Sequence, residues 1–331
     1  VNQDILNRAF NDFQSLRILV IGDVMIDSYY WGKSDRISPE APVPVVSVSK
    51  YEHRLGGAAN VALNLKAMGA EAILCGIVGS DNKGDLLKEL LQQSKLSSEG
   101  IVHVSNRPTT VKTRIISGNQ QMLRVDEEDT HPLNSNESAL FFKRISKIIN
   151  NKKCDAIIFE DYDKGAITPQ LIEKVVALAK IKDIPTCVDP KKRQFLDYKN
   201  VNLFKPNLKE LKEGLKIDIS QINLNNLDEA AKALRQQMPV DVILITLSEH
   251  GVYWNNGKQS MIIPAHLRNI ADVSGAGDTV ISVATLCMAL KLDSELMAAL
   301  ANLSGGLVCE HVGVVPIDAQ KLKSEALRLS K

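Results

Sequence analysis

The 331 residues show no excess of charge of either sign: 40 Lys and Arg stand against 39 Asp and Glu, a net +1. A surface that tracked nucleic acid or acidic lipid would need a strong basic excess, so any anion-binding site has to be local. Long apolar runs are missing as well. The longest stretch without a charge, Leu296 to Cys309, covers 14 residues and is interrupted by Asn302, Ser304 and Gly305-Gly306. A bilayer span needs ~20. The start, Val1-Asn2-Gln3-Asp4, has no basic segment followed by an apolar one, so no signal peptide is read and a cytoplasmic protein is expected, with neither membrane nor nucleic acid as partner. The five cysteines (75, 154, 187, 287, 309) are odd in number and lack any Cys-x-x-Cys, which argues against a disulfide framework or a zinc site and predicts buried thiols. Repeats and low-complexity linkers are absent, and the six histidines form no triad or metal spacing.

What is present is strand-helix alternation. Ile18-Leu19-Val20-Ile21, Ala72-Ile73-Leu74, Ala156-Ile157-Ile158-Phe159, Thr186-Cys187-Val188, Asn202-Leu203-Phe204 and Val242-Ile243-Leu244-Ile245 read as buried strands, because strands covered on both faces are continuously apolar. Helical patterns lie at about 57–68, 82–93, 135–150, 168–182, 227–237, 277–291, 294–309 and 318–329. The alternation predicts an α/β domain of three layers with a mainly parallel sheet. Residues about 24–55 and 100–125 break the rule with β-type alternation and no helix; they are expected to form a small antiparallel lid inserted into one domain spanning 1–331. Exposed lid edges need covering, and a homodimer through the lid would cover them.

Several strands end in polar residues: Gly22-Asp23, Glu160-Asp161, Asp189-Pro190-Lys191, Lys205-Pro206-Asn207 and Thr246-Leu247-Ser248. The carboxyl edge of an open parallel sheet is where ligands sit, so these sets should share one crevice. The segment Asp272-Val273-Ser274-Gly275-Ala276-Gly277-Asp278-Thr279 leads into an apolar helix. Small residues at Gly275, Ala276 and Gly277 let the unpaired amides of a helix start approach an anion. Asp278 beside a bound phosphate would repel it unless it takes a proton from an incoming hydroxyl, which makes it a candidate general base; the other reading is a tight turn with a carboxylate complementing the helix dipole. Two other phosphate motifs fail. Val280 stands where Gly-x-Gly-x-x-Gly needs its last glycine, and Asp27 where a Walker A loop ending in Gly32-Lys33-Ser34 needs its first. Leu55-Gly56-Gly57-Ala58-Ala59-Asn60 precedes another helix and suits the close approach of a polyol, with Asn60 as donor and acceptor, or else simple capping and packing. Asp27 could accept from sugar hydroxyls or merely end a turn.

The early Gly-Gly-Ala-Ala-Asn paired with the late Asp-x-Ser-Gly-Ala-Gly-Asp-Thr resembles the two signatures of the ribokinase-like, phosphofructokinase B carbohydrate kinase family. Gly22-Asp23-Val24-Met25-Ile26-Asp27, Arg36 through Val45, Val188-Asp189-Pro190-Lys191 and Lys205-Pro206-Asn207-Leu208-Lys209-Glu210 resemble its heptose 7-phosphate kinase branch, over roughly residues 10–320. Ser274 stands in place of the usual Thr, Lys192 in place of Gly, and Tyr162-Asp163-Lys164-Gly165 in place of Tyr-Gly-Lys-Gly.

The resemblance implies a ribokinase-like fold, ATP with Mg²⁺, and phosphorylation of the C1 hydroxyl of D-glycero-D-manno-heptose 7-phosphate to the 1,7-bisphosphate, toward nucleotide-activated heptose for surface glycans such as lipopolysaccharide. It also implies a stand-alone kinase, since bifunctional relatives add a nucleotidyltransferase domain for which no residues are left. Asn207 and Glu210 would arrange Mg²⁺ and its waters, Leu208 and Lys209 line the nucleotide, Thr246 and Ser248 meet phosphates or ribose, and Asn302 face the adenine. Arg114, Arg124, Lys164 and Lys191 are the cations expected at the substrate's own phosphate, with Arg36 and Arg54 as further candidates. The family commonly holds a monovalent cation beside the amide hole; carbonyls near Asp272 and the 306–313 segment are where one would sit. A kinase for another sugar phosphate and a catalytically silent sugar-binding regulator are the rival readings, whereas a nicotinamide dehydrogenase fails on the absent fingerprint.

Overall fold

The computed structural model describes residues 3–118 and 120–329. The strands are β1 (Arg17–Gly22), β2 (Val24–Ile37), β3 (Pro44–Gly57), β4 (Glu71–Gly79), β5 (Ser97–Val104), β6 (Val111–Ser117), β7 (Gln120–Glu127), β8 (Ala156–Glu160), β9 (Thr186–Asp189), β10 (Val201–Phe204), β11 (Val240–Thr246), β12 (Val252–Asn255) and β13 (Ser260–Ile263). The helices are α1 (Gln3–Asp12), α2 (Ala58–Ala67), α3 (Asn82–Gln93), α4 (Ser135–Asn151), α5 (Pro169–Ile181), α6 (Leu208–Leu215), α7 (Leu224–Gln237), α8 (Ala276–Ala289), α9 (Ser294–Val308) and α10 (Ala319–Leu329).

Alternate side chains of the apolar strands feed two separate cores, which is why the strand sequences are apolar throughout. Ile18 and Val20 of β1 join a core with α1, α2, α8 and α9, while Leu19 and Ile21 join one with α4, α5 and α7. Among the described residues the larger sheet has nine strands, ordered β13-β12-β11-β10-β9-β8-β1-β4-β5, and only β12 and β13 run antiparallel to their neighbours. The expected three-layer α/β domain is therefore what forms. All five cysteines are buried and unpaired, as their spacing predicts, and among the described residues no helix is long and apolar enough to cross a membrane.

A second sheet, β3-β2-β6-β7, is the lid. Its second pair of strands begins at Val111, later than the expected 100. Ser97–Val104 instead lies on the edge of the large sheet, parallel to β4, because Ile101 fills one core and Val102 and Val104 the other. Helices α1 and α6 and strands β12 and β13 were not expected.

Candidate active site

At β1 the strand order reverses: β4 pairs on one side and β8 on the other, both parallel. Such a switch point opens a crevice at the carboxyl ends of the strands. The crevice is tight at its base, since a Cβ on Gly22 would stand 2.1 Å from the Glu160 carbonyl oxygen. In register across β8 and β9, Glu160 pairs with Asp189, and Lys205 follows β10.

Helix α8 closes the crevice. It is buried continuously from Asp278 to Cys287, so it is held from all sides and its first turn is fixed. Gly275 precedes it with φ +79°, a left-handed conformation that glycine adopts freely, and no side chain caps the helix. The amides of Gly275 and Gly277 find no acceptor among the described residues, while that of Ala276 makes a long 3.3 Å bond to the Val273 carbonyl. Helix α2 also starts uncapped, at Gly57 with φ +58°. The two first turns meet where Asn60 Nδ2 donates to Asp278 Oδ2 at 2.7 Å. Tyr162 donates to Asp278 Oδ1, also at 2.7 Å. Asn60, expected at sugar hydroxyls, thus holds the carboxylate proposed as base. Burial raises the Asp278 pKa above the ordinary carboxylate value, against the pull of these two donors.

Glu160, Asp189 and Lys205, expected at the crevice but with no chemical role assigned to them, complete the site. Glu160, Asp189 and Asp278 each bring one oxygen into a group whose members all lie within 4.8 Å of one another. Lys205 Nζ sits 2.7 Å from Asp189 Oδ2, with both side chains buried. Neither oxygen of Glu160 has a hydrogen-bond partner among the described residues, and burial, then Asp189 and Asp278, push its pKa well up. A buried carboxylate without partners demands an explanation. Here the donor set fits a hard divalent cation, which takes oxygen ligands.

The loop after β8 is tied to β1 by Asp23, whose carboxylate accepts from the amides of Tyr162, Lys164 and Ala166 at 2.8–3.1 Å. Beside it, burial and then the Asp23 charge raise Asp161 to about 7. A carboxylate with a raised folded value keeps its proton where the unfolded chain has lost it, so stability falls as pH rises from about 4 to about 7. The melting temperature of the wild type should therefore decline across that interval more steeply than that of Asp161→Asn; parallel curves would remove Asp161 as the source.

The lid contributes one charged face. Asp27 is level with Arg54 on β3 and Lys112 on β6, and Tyr29 with Glu52 and Arg114. Arg114 donates to Asp27 at 2.5 Å, and the Arg54 and Arg114 guanidinium groups lie 4.9 and 5.2 Å from the Tyr29 ring centroid. A Cβ on Gly56 would meet Asp27 Oδ2 at 2.2 Å, so Gly56 leaves room for that carboxylate. Arg124 faces Arg114 across β6 and β7 but is exposed and forks onto Asp126. Lys164 Nζ is paired with Glu128 at 2.7 Å, and Arg36 is exposed far along β2. Arg114 is bound to Asp27 itself and Arg54, level with Asp27, is paired with Glu52 at 2.6 Å, so each of these cations but Arg36 has an acidic partner among the described residues.

On the other side, Asn207 and Glu210 form a reciprocal capping box at the start of α6. Glu210 also accepts from Lys191 at 2.6 Å, so both its oxygens are engaged. Thr246 bridges to Asn207 across the strands. Leu208, Lys209 and Ser248 line a cleft beside them, Lys209 and Ser248 being exposed. Asn302 Nδ2 is occupied by the Pro264 carbonyl at 2.9 Å. Asp272 caps Ser274 and binds the Gly313 amide at 2.8 Å, joining the 306–313 segment to the start of α8.

The bifunctional protein HldE of Koribacter versatilis is 38% identical over 320 residues, 96% of this chain and 65% of that protein. HldE of Campylobacter jejuni RM1221 is 40% identical over 314 residues, 94% and 65% of the two. The chain thus spans less than two thirds of these relatives. Among solved structures, Escherichia coli phosphofructokinase-2 in complex with potassium superposes with a TM-score of 0.78 at 17% identity, covering 96% of this chain and all of the other. Arabidopsis thaliana ribokinase complexed with ribose and ATP gives 0.71 at 16%, covering 93% and 98%. The ribokinase-like fold is shared with both. The sequence profile of the pfkB family carbohydrate kinases matches residues 15–320, and the chain belongs to that family.

Proposed function

We propose that the chain transfers the γ-phosphoryl group of ATP to the C1 hydroxyl of D-glycero-D-manno-heptose 7-phosphate, as a single domain with its lid over the sugar, supplying a 1,7-bisphosphate for nucleotide-activated heptose. The observation that carries the reading is Asp278: a buried carboxylate held by two donors at the mouth of an uncapped helix, between a lid face that carries Asp27 and the Asn207–Glu210 turn. The sugar would lie against Asp27, Gly56 and Gly57, its distal phosphate toward Arg114 and Arg54 on the lid face that carries Asp27; these two, like Arg124, Lys164 and Lys191, already hold acidic partners and would share or leave them for the phosphate. Asp278 takes the C1 proton, and the Gly275, Ala276 and Gly277 amides accept charge developing on the phosphoryl oxygens. Lys205 lies 3.6 Å from where a Gly277 Cβ would be and adds positive charge there.

Glu160 and Asp189 would hold Mg²⁺, with Glu210 acting through water; the bound ion supplies neutralisation of the nucleotide's phosphates. Asn207, Leu208, Lys209, Thr246 and Ser248 would follow the phosphates and ribose, and Asn302 the adenine side. A monovalent cation would sit beside the amide hole on carbonyls of the segments that the Asp272–Gly313 bond joins. ATP as donor places the reaction in the cytoplasm. On the far face of the lid, Tyr51, Tyr30, Ile115 and Leu123 are level with one another, and Tyr51 and Leu123 are exposed; a second copy of the chain would cover them in a homodimer.

Turnover of heptose 7-phosphate, fructose 6-phosphate, ribose and adenosine, each with ATP, tests the reading. Heptose 7-phosphate should give the highest kcat/KM. A preference for any of the other three overturns the substrate, and no sugar-dependent ATP consumption by any of them overturns the kinase.

A further inference from the structure

Two donors hold the Asp278 carboxylate, and one of them lies outside both signature motifs. Tyr162 is fixed at its backbone by Asp23 Oδ2, which accepts its amide at 2.8 Å. Its hydroxyl is 2.7 Å from Asp278 Oδ1, while Asn60 takes Oδ2. The face of its ring lies 5.3 Å from the Lys191 ammonium. That ammonium is ion-paired with Glu210 at 2.6 Å, and Glu210 Oε2 accepts from the Asn207 amide at 2.8 Å. One ring therefore stands between the carboxylate and the turn that opens α6.

The direction of the bond is set by its surroundings. An ionised carboxylate only accepts, and a phenol carries one O–H to give, here aimed at Asp278 Oδ1 at 2.7 Å. Tyr162 therefore donates. With one donor on each oxygen, the carboxylate is prevented from rotating about its own axis, and a base that must face a single hydroxyl gains from a fixed orientation.

We propose that Tyr162 is a positioning residue for phosphoryl transfer: its hydroxyl fixes the Asp278 carboxylate, and its ring, facing Lys191, ties that carboxylate to the Asn207–Glu210 turn. The proposal rests on the reading of Asp278 as the base.

Tyr162→Phe tests it, since the ring and its contact with Lys191 remain and only the hydroxyl goes. One hydrogen bond to a charged group corresponds to a loss in kcat of about 10–100-fold. KM for ATP and for the sugar phosphate should stay within about twofold, because the bond orients the base rather than binding either substrate. In an Asp278→Asn background the same change should leave the residual rate unaltered, whereas a general loosening of the site would lower both rates by the same factor. Para-aminophenylalanine in place of Tyr162 keeps a donor at the same reach and should restore most of kcat, which also guards against a Phe variant that fails to fold. Infrared difference spectra give a readout free of turnover: Tyr162→Phe should shift a carboxylate stretch, and the shift should vanish in the Asp278→Asn background. A raised KM with unchanged kcat, equal losses in both backgrounds, or a silent infrared difference would each overturn the proposal. An inactive wild type would instead defeat the reading of Asp278, with the infrared result still deciding the contact.

Discussion

Asp278→Asn should lower kcat by about 10²–10⁴-fold, the range general-base catalysis contributes, while leaving the affinity for ATP close to that of the wild type. The asymmetry follows from where the carboxylate sits. Its oxygens face Asn60 and Tyr162, whereas the amides of Gly275 and Gly277 that would meet phosphate belong to the backbone and survive the substitution. The Asn side chain has nearly the same volume and keeps one oxygen acceptor, so the start of α8 should remain folded. What is lost is the capacity to take a proton. Single-turnover rates with pre-bound ATP, alongside the ATP dissociation constant by calorimetry, separate the two effects. A kcat within about threefold of wild type, at most about 0.65 kcal/mol in the barrier, would remove Asp278 from the chemistry. A collapse of ATP binding would mean that the carboxylate organises the helix start instead. Because burial raises the Asp278 pKa in the free enzyme, the acid limb of the wild-type kcat/KM profile should lie above the ordinary carboxylate value.

Much of this site is legible along the chain, and the part that is not has a common physical cause. Gly275-Ala276-Gly277-Asp278 and Gly56-Gly57 announce uncapped helix starts, because a helix entered through small residues leaves its first amides bare. The strand ends at Asp23, Glu160, Asp189 and Lys205 are visible as polar residues closing apolar runs. Their meeting is not, since it depends on β1, β8, β9 and β10 being neighbours in the sheet, an order that no local pattern encodes. Lys164 reads as a free cation for the same reason, whereas the partner of Arg124 is local. Glu128 is far from Lys164 in sequence, and the two meet only through the fold; Asp126 lies two residues from Arg124, on the same side of β7, and takes up its guanidinium. Asn207 and Glu210 illustrate an ambiguity of another kind: an Asn followed three residues later by Glu is also a helix-start signature, and at α6 that is the bonding it adopts. Residues 100–104 read as lid because their apolar residues alternate like the lid strands that follow, while pairing with β4 gives both of their faces a core to fill.

Lys205→Met should be the most destabilising change in the crevice. The ammonium is the buried partner of Asp189 at 2.7 Å, and Asp189 in turn neighbours Glu160 and Asp278. Methionine fills similar volume but leaves three carboxylates together without the cation, and removing one member of a buried ion pair costs about 3–5 kcal/mol because the other charge stays behind. The double variant Lys205→Met with Asp189→Asn should recover a large part of the loss, since the stranded charge is then gone as well, and the cycle measures the pair directly. Stability should also respond to pH with a definite sign. Without the ammonium the carboxylates bind protons more tightly in the folded state than in the unfolded chain, so the denaturant midpoint of Lys205→Met should fall as pH rises above about 4, more steeply than that of the wild type. A loss below about 1 kcal/mol, the scale of a solvent-exposed pair, or a double variant no more stable than the single one, would show that Lys205 is not what permits Glu160, Asp189 and Asp278 to share one pocket.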